Sequence, residues 1–286
     1  MPGSPALAES PPVAHAGWRA RLALGIARDG ARSSLVRRSH DGPLVVQKPL
    51  YPEGDGVCQC IVVHPPGGIA GGDALEIDVD VGAGAWAQLT TPGAAKWYRA
   101  AGRPATSHIR VRVAEGATFE WLPQGTIVFE GADGASAMRV DLATDSVFLA
   151  WDVVCLGRTA SNERFEQGRW RQRIDVARGD ALLWSERASL AGGDALITSP
   201  AGLNGAPVFG TFVAMAPRLP DDLIAICRRI APARGDGAVT RLPHAIVARY
   251  RGDSSEAAQD YFRALWRDMR LPIAGRIAVP PRIWKT

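Results

Sequence analysis

Much that would suit export, membrane insertion or autonomous catalysis is missing from this sequence. No uninterrupted apolar run approaches the ~20 residues of a membrane-spanning helix. Cysteine is scarce: Cys58, Cys60, Cys155 and Cys227 are four thiols in 286 residues, too few for the disulfide framework of a secreted scaffold. Residues Met1–Ala16 hold four prolines and no apolar core of signal-peptide type. They predict a disordered, proline-rich tail over 1–17, ahead of a single β-rich domain over 18–286, with the cytoplasm as the expected compartment and reduced thiols there. An excess of one charge is also lacking. The net charge of +4 arises from 33 basic and 29 acidic residues that are interleaved, so an RNA-binding module that tracks phosphates is disfavoured.

The usual catalytic signatures are absent as well. There is no G-x-x-x-x-G-K-[ST] phosphate loop, no G-x-S-x-G elbow, no H-E-x-x-H helix and no C-x-x-C pair. The glycine-rich run His64-Pro65-Pro66-Gly67-Gly68-Ile69-Ala70-Gly71-Gly72-Asp73 has neither the lysine nor the hydroxyl of a nucleotide loop. It predicts a shaped turn, because its prolines fix φ and its glycines open backbone angles closed to other residues.

What is present is a repeat. The segments IDVDVGAGAWAQL, IRVRVAEGATFEWL, MRVDLATDSVFLAW and RIDVARGDALLWS begin at Ile77, Ile109, Met138 and Arg173. Each alternates apolar and charged residues, turns through small residues, and resumes with a large apolar group: Trp86, Phe119, Phe148 and Trp184. Alternation of period two marks strands with one buried face. Copies recurring at roughly 30 residues predict hairpin-like units that cover their apolar faces by stacking. The expected fold is mainly β, an elongated β-helix-like stack of sheets, interrupted by two α-helical segments. One helix follows Pro220 with Leu223, Ile226, Cys227 and Ile230 at helical spacing. The other follows Asp253-Ser254-Ser255-Glu256, which has the form of a capping box, and carries Ala258, Tyr261, Phe262, Leu265, Trp266 and Met269 on one face.

Three groups of residues could carry chemistry. Cys58, Cys60 and His64 combine soft ligands, but on an extended strand Cys60 and His64 stand roughly 13 Å apart, too far to share one ion. Buried structural thiols are the expectation. Asp152 in FLAWDVVCLG and Glu186 in ALLWSERASL place carboxylates inside apolar strands. Such charges must be paired, with Arg158, Arg164 or Arg187 as available partners, or face a wet interior that could pass a divalent cation along. Finally, Lys96-Trp97-Tyr98-Arg99 joins two cations to two aromatics, a composition found at protein interfaces. If this is a strand, Lys96 and Tyr98 point one way and Trp97 and Arg99 the other. The mixed-charge stretch Asn162–Arg173 predicts solvated strand faces first and a docking surface second.

The block from His64 to Arg99 resembles the urease accessory protein family called UreD, or UreH. The resemblance continues through Trp121-Leu122-Pro123-Gln124, Phe129-Glu130-Gly131-Ala132, Trp151 to Arg158, Trp184-Ser185-Glu186-Arg187 and Pro280-Pro281-Arg282-Ile283-Trp284-Lys285. It implies the same β-rich stack with two helical segments and a protein that is not an enzyme. It also implies a scaffold that binds apo-urease and, with UreF and the GTPase UreG, delivers nickel to urease. No permanent cofactor is then expected, only transient nickel, and GTP would be used by the partner. Asp73, Asp152 and Glu186 are the positions the resemblance assigns to a nickel path, and Lys96, Tyr98 and Arg99 are candidates for partner contact. One departure is Ala94-Ala95, where related sequences often carry a hydroxyl. A competing function is a cytoplasmic metal-dependent hydrolase using His64, Asp73 and Asp152.

Overall fold

The computed structural model describes residues 17–285. The tail expected over 1–17 therefore lies outside the described residues except for Gly17, whose Cα faces the Gly72 backbone so closely that a side chain there would collide with it. In chain order the first strands are β1 (Arg19–Asp29), β2 (Arg32–Asp41), β3 (Val45–Val46), β4 (Cys58–Val63), β5 (Ala74–Val81), β6 (Trp86–Thr90), β7 (Ala95–Trp97) and β8 (Ala105–Val113). They continue as β9 (Thr118–Leu122), β10 (Thr126–Val128), β11 (Asp133–Leu142), β12 (Val147–Leu156), β13 (Arg169–Arg178) and β14 (Ala181–Ala191). After the short helix α1 (Ala195–Thr198) come β15 (Val208–Met215), α2 (Leu223–Arg228), β16 (Asp236–Arg241), β17 (Ala245–Gly252) and α3 (Ser255–Ala274).

Two sheets face one another. One runs β14-β13-β11-β8-β5-β1-β2, and the other runs β16-β17-β15-β12-β9-β6-β4-β3 with β10 and β7 attached. The repeats build both at once, though not as hairpins. In the first three copies the small-residue turn carries the chain from one sheet to the other: β5 to β6, β8 to β9, β11 to β12. Each strand then pairs in parallel with its counterpart in the next copy. Only the fourth copy, β13 and β14, closes as an antiparallel hairpin. The result is β-solenoid-like stacking of about four turns. A sequence pattern of strand, turn, strand does not distinguish an arch from a hairpin, because alternation fixes faces and not partners.

Stacking in register aligns like with like. Leu22, Ile77, Ile109, Met138 and Ile174 form one inward row, and Leu24, Val79, Val111, Val140 and Val176 form the next. The outward residues of the same strands bring opposite charges side by side. Arg21 and Arg110 reach Asp78 at 3.1 and 3.5 Å, and Arg112 reaches Asp80 at 2.5 Å. Arg171 and Arg173, in the mixed-charge stretch, pair with Asp133 and Asp175 as a solvated strand face does.

The helices cover the outer face of the second sheet. Helix α3 is capped by Ser254, whose hydroxyl accepts the Ala257 N–H at 3.1 Å, so the cap lies one residue beyond the Asp253–Glu256 box. Its stripe Ala258, Tyr261, Phe262, Leu265, Trp266 and Met269 is buried as expected from its spacing. Trp151, Trp266 and Trp284 meet beneath it with ring centroids 5.5–6.3 Å apart. The deepest contact is charged. Glu120, in the buried run TFEWL, accepts from Arg270 Nε at 3.0 Å, from Trp266 Nε1 at 2.8 Å and from Gln88 Nε2 at 2.9 Å. The outer edge of the same guanidinium meets Glu53 at 2.6 and 2.9 Å. Arg270 and Glu120 side chains are both 0% exposed.

Removing one member of such a buried pair strands the other charge in the interior, at a cost of about 3–5 kcal/mol. Arg270→Leu should therefore lower the unfolding free energy read from urea titration by that order, whereas Arg110→Ala, on the exposed ladder, should cost less than about 1 kcal/mol.

Candidate functional site

Inward-facing positions of β12, β15 and β17 place Asp152, Thr211 and Arg249 in one row across the second sheet. Trp151 and Val153, their odd-numbered neighbours on β12, pack toward the helices instead. From the facing sheet, β13 presents Gln172 and β14 presents Glu186. Gln172 Nε2 donates to Asp152 Oδ2 at 2.9 Å, and the Thr126 hydroxyl, from β10, stands 3.5 Å from Asp152 Oδ1. The Thr211 hydroxyl donates to Glu186 Oε1 at 2.8 Å, and Arg249 meets Glu186 Oε2 at 2.9 Å. Six polar side chains thus converge between two otherwise apolar faces.

The space around them is graded. A cavity of about 30 Å³, lined by Ser136, Asp152, Gln172, Trp184 and Thr211 among others, has room for a water molecule beside Asp152. Outside it, where β14 ends the first sheet and β15, β17 and β16 extend the second, a cleft of about 760 Å³ opens over Glu186, Thr211 and Arg249. Thr211 lines both spaces. A recess of about 910 Å³ lies apart from this cluster near Leu156 and Phe165, and its Glu163 is held by Arg158 at 2.6 Å.

Burial raises the Asp152 pKa to about 7, and the nearby charge of Glu186 adds to the rise, against hydrogen bonds from the Val153 backbone, Thr126 and Gln172. Asp152 therefore exchanges its proton near neutrality, and a cation arriving beside it would displace that proton.

The sequence-predicted residues are only partly gathered here. Asp152 and Glu186 come together, although none of Arg158, Arg164 and Arg187 is the partner; Glu186 takes Arg249, and Asp152 is held by neutral donors. Asp73 stands elsewhere. It heads β5, three strand spacings from β13, a separation of roughly 14 Å. Its oxygens accept the Trp18 and Ala70 backbone N–H groups at 2.7 and 2.8 Å, which ties the glycine-rich turn to the chain before β1. His64 belongs to that turn, accepting the Gly67 N–H on its carbonyl. Burial lowers the imidazole pKa while the nearby Asp73 charge raises it, but Asp152 lies on the other sheet against Gln172 and Thr126, so the hydrolase set of His64, Asp73 and Asp152 is not assembled. Cys58 and Cys60 are buried, with sulfurs 3.9 Å apart. Among the described residues no three His, Cys, Asp or Glu side chains are grouped to hold a metal ion.

In the Lys96–Arg99 segment only Trp97 turns inward, edge-on to Trp170 at 5.0 Å. Lys96, Tyr98 and Arg99 are all exposed, because β7 ends at Trp97 and the alternation ends with it. The Tyr98 ring lies on Gly68, where any side chain would collide with it, and meets Phe129 edge-on at 5.1 Å. Ala95 is the register partner of Thr126, so a hydroxyl does stand at that level, on the neighbouring strand.

The profile of the UreD urease accessory protein family matches residues 18–285. The chain belongs to this family. It is 51% identical over 274 residues to "Urease accessory protein UreD" of Azoarcus sp., covering 96% of each chain. It is 50% identical over 273 residues to the protein of the same description from Dechloromonas aromatica, covering 94% of this chain and 95% of the other. The Pseudomonas aeruginosa relative is also 50% identical over 273 residues, with 95% and 96% covered. UreD relatives carry the names of accessory proteins and not of enzymes, and membership of the family supports a role in urease maturation. No helix among the described residues is long and apolar enough to cross a membrane.

The sign of the Asp152 shift sets a pH dependence. Its folded pKa of about 7 lies above the unfolded value near 3.9, so the folded state binds the proton more tightly; stability is lost as pH rises from about 4 to 7 and stays reduced above. Asp152→Asn should be more stable than the parent at pH 8, by up to about 4 kcal/mol, with the difference shrinking toward pH 4 in urea unfolding series.

Proposed function

We propose that this chain is a non-catalytic maturation factor that binds apo-urease and, with UreF and the GTPase UreG, passes nickel toward the urease active site. The observation that carries it is the Asp152–Glu186 cluster: two carboxylates between the sheets, one bordering an interior cavity and the other an open cleft. Oxygen ligands of this kind hold a divalent cation weakly, which suits a transient stop better than a resident metal. Asp73 would be a separate stop on the same route. Its occupied hydrogen bonds make it first a tie for the turn. Lys96, Tyr98 and Arg99, exposed together beside the glycine-rich turn, are the surface we propose for partner contact. The nucleotide chemistry falls to the GTPase partner, and the cytoplasm is the compartment in which these partners would meet.

The test is co-expression of apo-urease with the remaining accessory proteins, with and without this chain, followed by nickel content and urease activity. Loading that requires the chain, and that falls several-fold with Asp152→Ala or Glu186→Ala in soluble, folded protein, is the expected result. Equal loading without the chain would remove the maturation role.

A further inference from the structure

We propose that Arg249 is a stand-in cation, a guanidinium that holds the outer end of the Asp152–Glu186 route and must leave before a divalent ion can enter. The proposal rests on the route described above. Oε1 of Glu186 accepts the Thr211 hydroxyl at 2.8 Å, while Oε2 accepts no hydrogen bond and is neutralised only as an ion pair by Arg249 at 2.9 Å. Arg249 also reaches the Thr211 hydroxyl at 3.3 Å, so its planar head spans the two residues that form the floor of the cleft. A metal ion approaching Glu186 from the cleft therefore meets a positive charge first.

The two partners differ in mobility. The Glu186 side chain is 12% exposed and fixed in the wall between the sheets, whereas that of Arg249 is 57% exposed. An ion pair open to solvent on one side is held weakly, so the arginine can swing into the cleft without disturbing the sheet. The neighbouring cation cannot take its place readily. Arg251 is committed to Asp236 at 2.9 Å and to the Gly202 carbonyl at 3.0 Å. Without a counter-ion, Glu186 would leave an uncompensated carboxylate near Asp152, a cost that Arg249 removes while no metal is bound. Arg249 thus stabilises the empty route and selects for ions that bind Glu186 strongly enough to displace a monovalent guanidinium.

The experiment is equilibrium dialysis of the full-length chain against Ni(II), comparing the parent with Arg249→Gln, which keeps hydrogen-bond donors but loses the charge, and with Arg249→Lys, which keeps the charge. Removing a like charge within a few ångströms of the incoming ion should tighten Ni(II) binding by about tenfold or more in Arg249→Gln. Arg249→Lys should stay near the parent, and Arg249→Gln combined with Glu186→Gln should lose the gain. Circular dichroism checks each fold, and Arg249→Met serves if the glutamine variant does not fold. Equal, weaker or absent Ni(II) binding in folded charge-neutral variants overturns the proposal. Urease loading that depends on the chain, together with unchanged Ni(II) affinity, would remove the stand-in cation and leave the maturation role intact. Tighter binding with loading independent of the chain would do the reverse.

Discussion

Arg270 joins the ends of the chain's architecture. It comes from α3, more than two hundred residues after Glu53, and binds Glu53 and Glu120 with one guanidinium whose side chain is fully buried. Gln59 and Gln88 extend the network across neighbouring parallel strands through a 2.6 Å hydrogen bond between their amides. A charge so deep is tolerated only when every donor finds an acceptor, and here Nε and both terminal nitrogens do. The network fixes where α3 sits on the second sheet. That in turn sets which faces of β12 point inward, with Trp151 under the helix and Asp152 between the sheets.

The division of β12 into two faces is what turns a structural strand into part of a site. Alternation delivers an acidic side chain to an interior that the apolar rows of a solenoid would otherwise fill. Interior polarity is then compensated locally by Gln172, Thr211 and Arg249. Because the first sheet stops at β14 while the second runs on through β15, β17 and β16, the polar row reaches an open edge. Fold and site are therefore linked by sheet width: two sheets of equal extent would bury Glu186 with no approach from solvent.

Much of this was legible in the residues. Period-two alternation located the strands of the four repeats, and the stripe from Ala258 to Met269 located α3 and its buried face. Charged residues inside apolar strands correctly marked Asp152 and Glu186 as interior. The same signal is present at Glu120, inside TFEWL. Its partner Arg270 gives no sign of burial, since an arginine in a helix is usually solvated. Partners across the sheets were not legible at all. Gln172, Thr211 and Arg249 are unremarkable in sequence, and their convergence depends on arches where hairpins were expected. The grouping of Asp73 with the other two carboxylates came from the family resemblance, and strand spacing separates it from them.

The most direct test is anomalous diffraction at the nickel edge from crystals of the full-length chain equilibrated with Ni(II). The account predicts a nickel peak between the sheets within coordination distance of Asp152 or Glu186, absent from crystals of the Asp152→Asn, Glu186→Gln double variant. Nickel bound only on the outer surface, or a peak between the sheets that survives in the double variant, would contradict it.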